Sequence, residues 1–175
     1  MNIDCITNGL LLENCYIISD KDRNAIIIDP GMELDKITSF IDNNHLKVVC
    51  VLVTHYHFDH VTILDEIINK YKCKVIDYKS EKNNKIKSFN FAVIENYGHT
   101  MDSVSFYFKK EKVMFTGDFI FKESIGKYNF EDEEIMINSL KSFCKLDDDI
   151  VIYPGHGESS TVGYEKENNY FLRGI

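Results

Sequence analysis

The sequence predicts an α/β domain, and three observations carry that prediction. Short apolar runs such as Val48-Val49-Cys50-Val51-Leu52-Val53 and Ile150-Val151-Ile152-Tyr153 recur along the chain and read as buried strands. Between some of them, apolar residues fall at helical spacing instead. The runs also end, again and again, in a glycine-flanked or histidine-rich turn, which is how separate strand ends deliver side chains to one rim.

Taken in order, residues 3–7, Tyr16-Ile17-Ile18 and Ala25-Ile26-Ile27-Ile28 read as strands, with the polar turn Asp20-Lys21-Asp22-Arg23-Asn24 between the last two. Asp29-Pro30-Gly31 stops the third. Leu34, Ile37, Phe40 and Ile41 then repeat at helical spacing, which predicts a helix over 33–43. The apolar run ending at Val53 is the next strand, and Val61, Leu64, Ile67, Ile68 and Tyr71 form a second helical stripe, so His60 is expected near a helix start. Lys74-Val75-Ile76 is a short strand. The Lys- and Asn-rich segment from Lys79 to Asn90 is too polar for core and reads as a surface connection. Phe91–Ile94, Ser103–Phe108 and Val113–Phe115 read as strands, with Lys109-Lys110-Glu111-Lys112 turning between the last two. Asp132, Glu133 and Glu134 suit the first turn of a helix whose stripe is Met136, Leu140, Phe143 and Cys144, since carboxylates there complement the helix dipole. Pro30 and Pro154 sit in strand-end turns, where proline does least harm to a ladder. No repeat, long linker or second domain is visible, and residues 1–175 are expected to form a single domain.

The stretch Thr54-His55-Tyr56-His57-Phe58-Asp59-His60 follows the longest apolar run directly. Alternate side chains of an extended chain point the same way, so His55 and His57 can aim at one point while Asp59 and His60 aim at a neighbouring one as the chain turns. Neutral imidazole and carboxylate are ligands for zinc, iron or manganese. Three further turns repeat the pattern of apolar strand, glycine and polar ligand: Tyr97-Gly98-His99-Thr100, Thr116-Gly117-Asp118 and Pro154-Gly155-His156-Gly157. His55, His57, Asp59, His60, His99, Asp118 and His156 are too many donors for one four-coordinate ion. The economical arrangement is two divalent metal ions about 3.5–4 Å apart that share a carboxylate and a water-derived ligand.

These four motifs in this order resemble the metallo-β-lactamase superfamily, and the match runs from Asn14 to about Phe171. Within it, Ile28-Asp29-Pro30-Gly31, Gly117–Phe121 with Ser124-Ile125-Gly126, and the segment from Pro154 to Asn169 are similar to the glyoxalase II-like (hydroxyacylglutathione hydrolase-like) branch. The resemblance implies a four-layer αββα sandwich. It implies that His55, His57 and His99 hold one metal, that Asp59, His60 and His156 hold the other, and that Asp118 bridges. Zinc is the first choice, with iron or manganese as alternatives. Lys127 and Tyr128 fall in a segment that resembles the one holding the thiol carrier in such enzymes, where a lysine would bind a carboxylate of a glutathione-like carrier.

The formal charge of -8, from 28 acidic against 20 basic residues, argues against a nucleic-acid partner. No apolar run approaches the roughly 20 residues that cross a bilayer, and the start Met1-Asn2-Ile3-Asp4 lacks a signal-peptide pattern. A cytoplasmic location without membrane association is therefore expected. Cys5, Cys15, Cys50, Cys73 and Cys144 are odd in number and scattered, which suits reduced thiols packed as small hydrophobes. His45, in a polar stretch ending a helix, reads as a surface residue.

Two divalent ions that share a water lower its pKa and stabilise an oxyanion, so hydrolysis of an activated acyl group follows. With no histidine left over as a general acid, a thioester of a small thiol, similar to S-lactoylglutathione, is the expected substrate, and Asp59 is expected to orient the water and take its proton as well as ligate. A mono-iron persulfide dioxygenase and a lactone hydrolase on the same scaffold are the alternatives, and a non-catalytic metal-binding module is a third. Homo-oligomerisation is left open.

Overall fold

In the computed structural model, which describes residues 1–175, strands β1 (Asn2–Asn8), β2 (Glu13–Ser19) and β3 (Asn24–Ile28) form an antiparallel meander. The chain crosses through helix α1 (Leu34–Asn43) to β4 (Lys47–Leu52), then through helices α2 (Phe58–Val61) and α3 (Leu64–Tyr71) to β5 (Lys74–Ile76). Both crossovers return parallel, which gives the first sheet the order β1-β2-β3-β4-β5. A second meander follows, β6 (Asn83–Ile86), β7 (Phe89–Glu95), β8 (Val104–Phe108) and β9 (Val113–Gly117). After the small hairpin of β10 (Ile120–Phe121) and β11 (Ser124–Ile125), helix α4 (Glu133–Phe143) leads to β12 (Val151–Pro154), which lies parallel to β9. Strand β13 (Ser160–Thr161) pairs with β12 before helix α5 (Val162–Asn168), so the second sheet runs β13-β12-β9-β8-β7-β6.

The alternation of side chains along each strand builds the layers. Tyr16, Ile18, Ile26, Ile28, Cys50 and Leu52 leave one face of the first sheet to meet Phe89, Phe91, Val93, Phe106, Phe108 and Phe115 of the second. The intervening residues Cys15, Ile17, Ile27, Val51 and Val53 face the other way and pack on Ile37 and Ile41 of α1 and on Leu64 and Ile67 of α3. Met114 and Ile152 likewise face Met136, Leu140 and Phe143 of α4 and Val162 of α5. Helices therefore cover the outer face of both sheets, and the expected αββα sandwich is the architecture observed. Strands buried on both faces explain why β3, β4 and β9 read as unbroken apolar runs. Truncating a ring such as Phe115 at this centre is expected to cost about 3–5 kcal/mol.

Two readings of the sequence change. The polar 79–90 segment contains an edge strand, β6, whose backbone pairs with β7; an edge needs only main-chain partners, and its Lys and Asn side chains shield it from further pairing. The stripe from Val61 to Tyr71 is two helices, because Gly31 takes backbone bonds from both sides of the break: its N–H donates to the His60 carbonyl at 2.9 Å and its carbonyl accepts from Ile63 N–H at 3.1 Å. His60 consequently lies in the one-turn helix α2. In the tail, Val162 and Leu172 fill the core, and Tyr164, Tyr170 and Phe171 are exposed.

Candidate metal centre

Parallel pairing sets the position of the site. Strands β3 and β4 end side by side, as do β9 and β12, and Asp29, the 54–60 turn, Asp118 and His156 all follow those carboxyl ends, the usual place for a site in α/β sheets. His99 arrives from the β7–β8 connection.

Two groups of donors result. His55, His57, His99 and Asp118 bring one ligand atom each within 4.8 Å of one another, and Asp59, His60 and His156 do the same. In the first, His57 Nδ1 lies 3.0 Å from both His55 Nε2 and His99 Nε2. In the second, His156 Nε2 is 3.4 Å from Asp59 Oδ2, and His60 Nε2 is 4.0 Å from the same oxygen. Asp118 touches both: Oδ1 is 3.3 Å from His60 Nε2, while Oδ2 is 3.5 Å from His156 Nε2 and 3.7 Å from His99 Nε2. Two ligands about 2.0–2.1 Å from a tetrahedral ion stand roughly 3.3 Å apart, so these are ligand-to-ligand spacings. His55, Asp59 and His60 form a buried floor, and His57, His99 and His156 a partly open wall.

The outer nitrogens show which atoms carry protons. His99 Nδ1 donates to the Lys127 carbonyl at 2.6 Å, and His156 Nδ1 to the Leu11 carbonyl at 3.0 Å. His60 Nδ1 donates to Asp29 Oδ2 at 3.0 Å. Thr54 Oγ1 gives its own proton to Asp29 Oδ2 at 2.6 Å, so it accepts from His55 Nδ1 at 3.1 Å. Each of these four rings thus uses Nδ1 outward and turns Nε2 inward, a lone pair in the neutral ring, and a single proton on His57 Nδ1 satisfies only one of its two neighbours. Lone pairs gathered this way repel unless a cation stands among them.

The rest of the geometry fits a divalent metal pair equally well. His60 Nε2 and Asp118 Oδ1 are buried and have no hydrogen-bond partner. A Cβ on Gly155 would lie 2.2 Å from Asp118 Oδ1 and 2.7 Å from His60 Cε1, and one on Gly117 would lie 2.3 Å from Thr54 Oγ1, so glycine lets both turns close on the cluster. Burial, joined by the neighbouring imidazoles, pushes His55 down to about 2, and burial also lowers His99, which keeps both neutral as ligands must be. Burial works against charge on His60 too, yet Asp29 and Asp118 on its two nitrogens push it up to about 11. Asp118, despite its burial, is held well below the usual carboxylate range by His156 and His60, and Asp118 in turn raises His156. The spot between these groups attracts positive charge, whether a proton or a metal ion.

All seven expected donors therefore meet. His45 is exposed beyond α1. The Lys127 side chain is exposed and its backbone carbonyl meets the site, while Tyr128 packs against the α4 core. Residues that carry the support went unmarked in the sequence reading. Asp29, buried at a left-handed φ of 48°, accepts from Thr54 N–H at 2.8 Å, from Thr54 Oγ1 and from His60. Glu13 is buried behind His60, 3.9 Å from its Nδ1, and burial raises it to about 9. The left-handed Asp29 between a strand and Pro-Gly was a findable signal; Glu13, in a polar-looking hairpin, was not.

Fold and site together define a class: an αββα sandwich that gathers imidazoles and carboxylates with metal-ligand spacing at one rim of its two sheets. The chain belongs to the metallo-beta-lactamase superfamily, whose sequence model matches residues 8–89 and 83–156. It is 31% identical to the hydroxyacylglutathione hydrolase GloC of Haemophilus influenzae, over 98% of each chain. Among solved structures it resembles the B3 metallo-beta-lactamase BLEG-1, with a TM-score of 0.94 at 26% identity over 99% of this chain and 100% of that one. It also resembles TTHA1623 in a di-iron-bound form, with a TM-score of 0.87 at 26% identity over 97% of this chain and 100% of that one. No helix is long and apolar enough to cross a membrane.

Proposed function

We propose that the protein hydrolyses thioesters of a small thiol at a centre of two divalent metal ions, R–CO–S–R′ and water giving a carboxylate, a thiol and a proton. The observation that carries this is the meeting of seven donors in two adjacent groups joined by Asp118. His55, His57 and His99 would hold one ion, Asp59, His60 and His156 the other, and Asp118 both; zinc suits this donor set, as do iron and manganese. Such ions, when bound, lower the pKa of a shared water and polarise a carbonyl oxygen.

The chain's own residues do the rest. The buried floor of His55, Asp59 and His60 keeps bulk water away from one side, and the partly open wall of His57, His99 and His156 admits the acyl group. Asp59 orients the attacking water and takes its proton. Five of the six histidines belong to the centre and His45 lies outside it, so no imidazole remains to protonate a leaving group. A thiolate leaves without that help, which favours a thioester over an amide. The exposed Lys127 ammonium, next to the His99 support, suits a carboxylate on the thiol carrier. A one-iron oxidative role would use the first group alone and leave Asp59, His60 and His156 without a task.

The test is a panel of acyl thioesters with metal-reconstituted protein, read by thiol release, alongside oxygen uptake on a persulfide. Thiol release that Asp59→Ala abolishes without loss of folding supports the proposal. Full turnover by that variant, or oxygen uptake without thiol release, overturns it.

A further inference from the structure

Five imidazoles face the metal centre, and four of them have an outer nitrogen held by the protein. Thr54 holds His55, Asp29 holds His60, the Lys127 carbonyl holds His99 and the Leu11 carbonyl holds His156. His57 is the exception. Its Nδ1 is the atom that faces His55 and His99, and its Nε2 makes no hydrogen bond to the protein. Its side chain is exposed as well, whereas His55 is buried. A ligating imidazole is ordinarily aimed by a partner on its other nitrogen. Without one, the aim of His57 has to be set by the backbone that carries it.

That backbone is tied down from the neighbouring strand. Tyr56, between His55 and His57, donates its phenol O–H to Asp77 Oδ2 at 2.8 Å. Asp77 directly follows β5, which lies parallel to β4 with Ile76 opposite Leu52, and Val53 N–H donates to the Ile76 carbonyl at 3.0 Å. The carboxylate therefore stands level with the start of the ligand turn. It is itself preset by a local turn: Oδ1 accepts from Lys79 N–H at 3.0 Å and from Ser80 Oγ at 3.4 Å, and Ser80 Oγ accepts from Asp77 N–H at 3.0 Å. Oδ2 is left for the phenol. The Tyr78 ring meets the Tyr56 ring edge-on, with centroids 6.3 Å apart.

Strands β3, β4 and β5 are adjacent and parallel, so the carboxylates that follow β3 and β5 flank the turn that follows β4. Asp29, on one flank, reaches His60 and, through Thr54, His55; it makes no bond to His57. We infer that Asp77, on the other flank, is a positioning residue for the metal centre: its bond to Tyr56 fixes the stretch that carries His57 and so sets how firmly the ion at His55, His57 and His99 is held. The inference rests on the two-ion centre proposed above. The ion at Asp59, His60 and His156 has its support from Asp29 and the Leu11 carbonyl, so the two ions respond unequally to loss of this bond. Removing the outer partner of a ligating histidine costs about 10–100-fold in metal affinity. Asp77 acts through an intervening residue and its bond is exposed, which places the effect near the lower end.

The experiment titrates zinc-loaded protein with a chromophoric chelator, which resolves the two zinc affinities. Tyr56→Phe, which removes only the hydroxyl, and Asp77→Ala should each weaken one zinc by about tenfold and leave the other as it is. The double variant should be no weaker than either single one, because both remove the same bond. Lys79→Ala should change neither affinity, since only the main chain of Lys79 bonds to Asp77. In a His99→Ala background, where the first group is already incomplete, Tyr56→Phe should make no further difference. Equal loss at both zincs, no loss in the single variants, additive losses in the double variant, or a matching loss in Lys79→Ala overturns the inference and leaves the two-ion centre standing. One zinc in the wild type, weakened alike by Tyr56→Phe and Asp77→Ala, overturns the two-ion centre and supports the role of Asp77. A wild type that binds no zinc overturns both.

Discussion

One turn after β4 supplies four of the seven donors, His55, His57, Asp59 and His60, whereas the second sheet supplies His99, Asp118 and His156 on three separate turns. The two regions are held by different means. The first turn is organised chiefly by one residue, Asp29 at the end of the neighbouring strand β3, which fixes His60 directly and His55 by way of Thr54. The second region depends on several separate contacts: His99 is oriented by the Lys127 carbonyl, His156 by the Leu11 carbonyl, and Asp118 by the close approach that Gly117 and Gly155 allow. A compact turn can be preorganised by one carboxylate; a dispersed set requires the two sheets to be stacked in register.

The largest effect should come from the residue that joins the regions. Asp118→Ala leaves His60 Nε2 and His156 Nε2 without their shared anion, and turnover of a thioester is expected to fall by about a thousandfold, the scale of losing a principal electrostatic partner. Metal analysis of the purified variant should show less than two equivalents. If instead Asp118→Ala keeps its metal and activity, the two regions are independent and the contrast drawn above is wrong.

Asp29→Ala tests the first region alone. Three donors lose their acceptor, and a buried unsatisfied donor costs about 1–3 kcal/mol, so chemical denaturation should show a clear loss. Metal affinity should drop by about 10–100-fold, as when an outer partner of a ligating histidine is removed. Unchanged metal titration would show that the turn needs no such support.

Glu13 sharpens the comparison through pH. Burial raises its folded-state pKa to about 9, so between about pH 4.5 and 9 the unfolded chain ionises while the folded one keeps the proton, and stability declines as pH rises through that window. Glu13→Gln removes that decline. The variant should match the wild type near pH 4 and exceed it by roughly 5 kcal/mol at pH 8, measured by denaturant titration at both values; a constant difference would mean that the carboxyl is ionised in the fold.

The smallest effect belongs to a glycine of the dispersed half. Gly155→Ala places a Cβ against Asp118 Oδ1 and should weaken metal binding by about tenfold with the fold intact, whereas Gly157→Ala meets no atom and should cost only its left-handed backbone, about 1–2 kcal/mol, without touching metal affinity. Equal behaviour of the two in metal titration would remove the close-approach argument.

The same contrast explains what could be read from the sequence. The 55–60 cluster is legible because its geometry is a property of a few consecutive residues, and β4 before it because burial on both faces leaves an unbroken apolar run. His99, Asp118 and His156 are legible only as repeats of strand, glycine and ligand, and their partition between two ions came from resemblance to a family. Edge strand β6 was missed because main-chain pairing at an edge leaves no apolar pattern. The break between α2 and α3 was missed because it is imposed by Gly31 from another strand end, and Glu13 because nothing in its neighbours announces that the hairpin base is buried.

The central claim is that seven side chains from two sheets surround two adjacent cations. Crystals of the metal-reconstituted protein, with anomalous scattering recorded at the absorption edge of the metal found by elemental analysis, test it most directly. The account predicts two anomalous peaks about 3.5–4 Å apart on either side of Asp118, one against His55, His57 and His99 and the other against Asp59, His60 and His156. A single peak, or peaks away from Asp118, would contradict it.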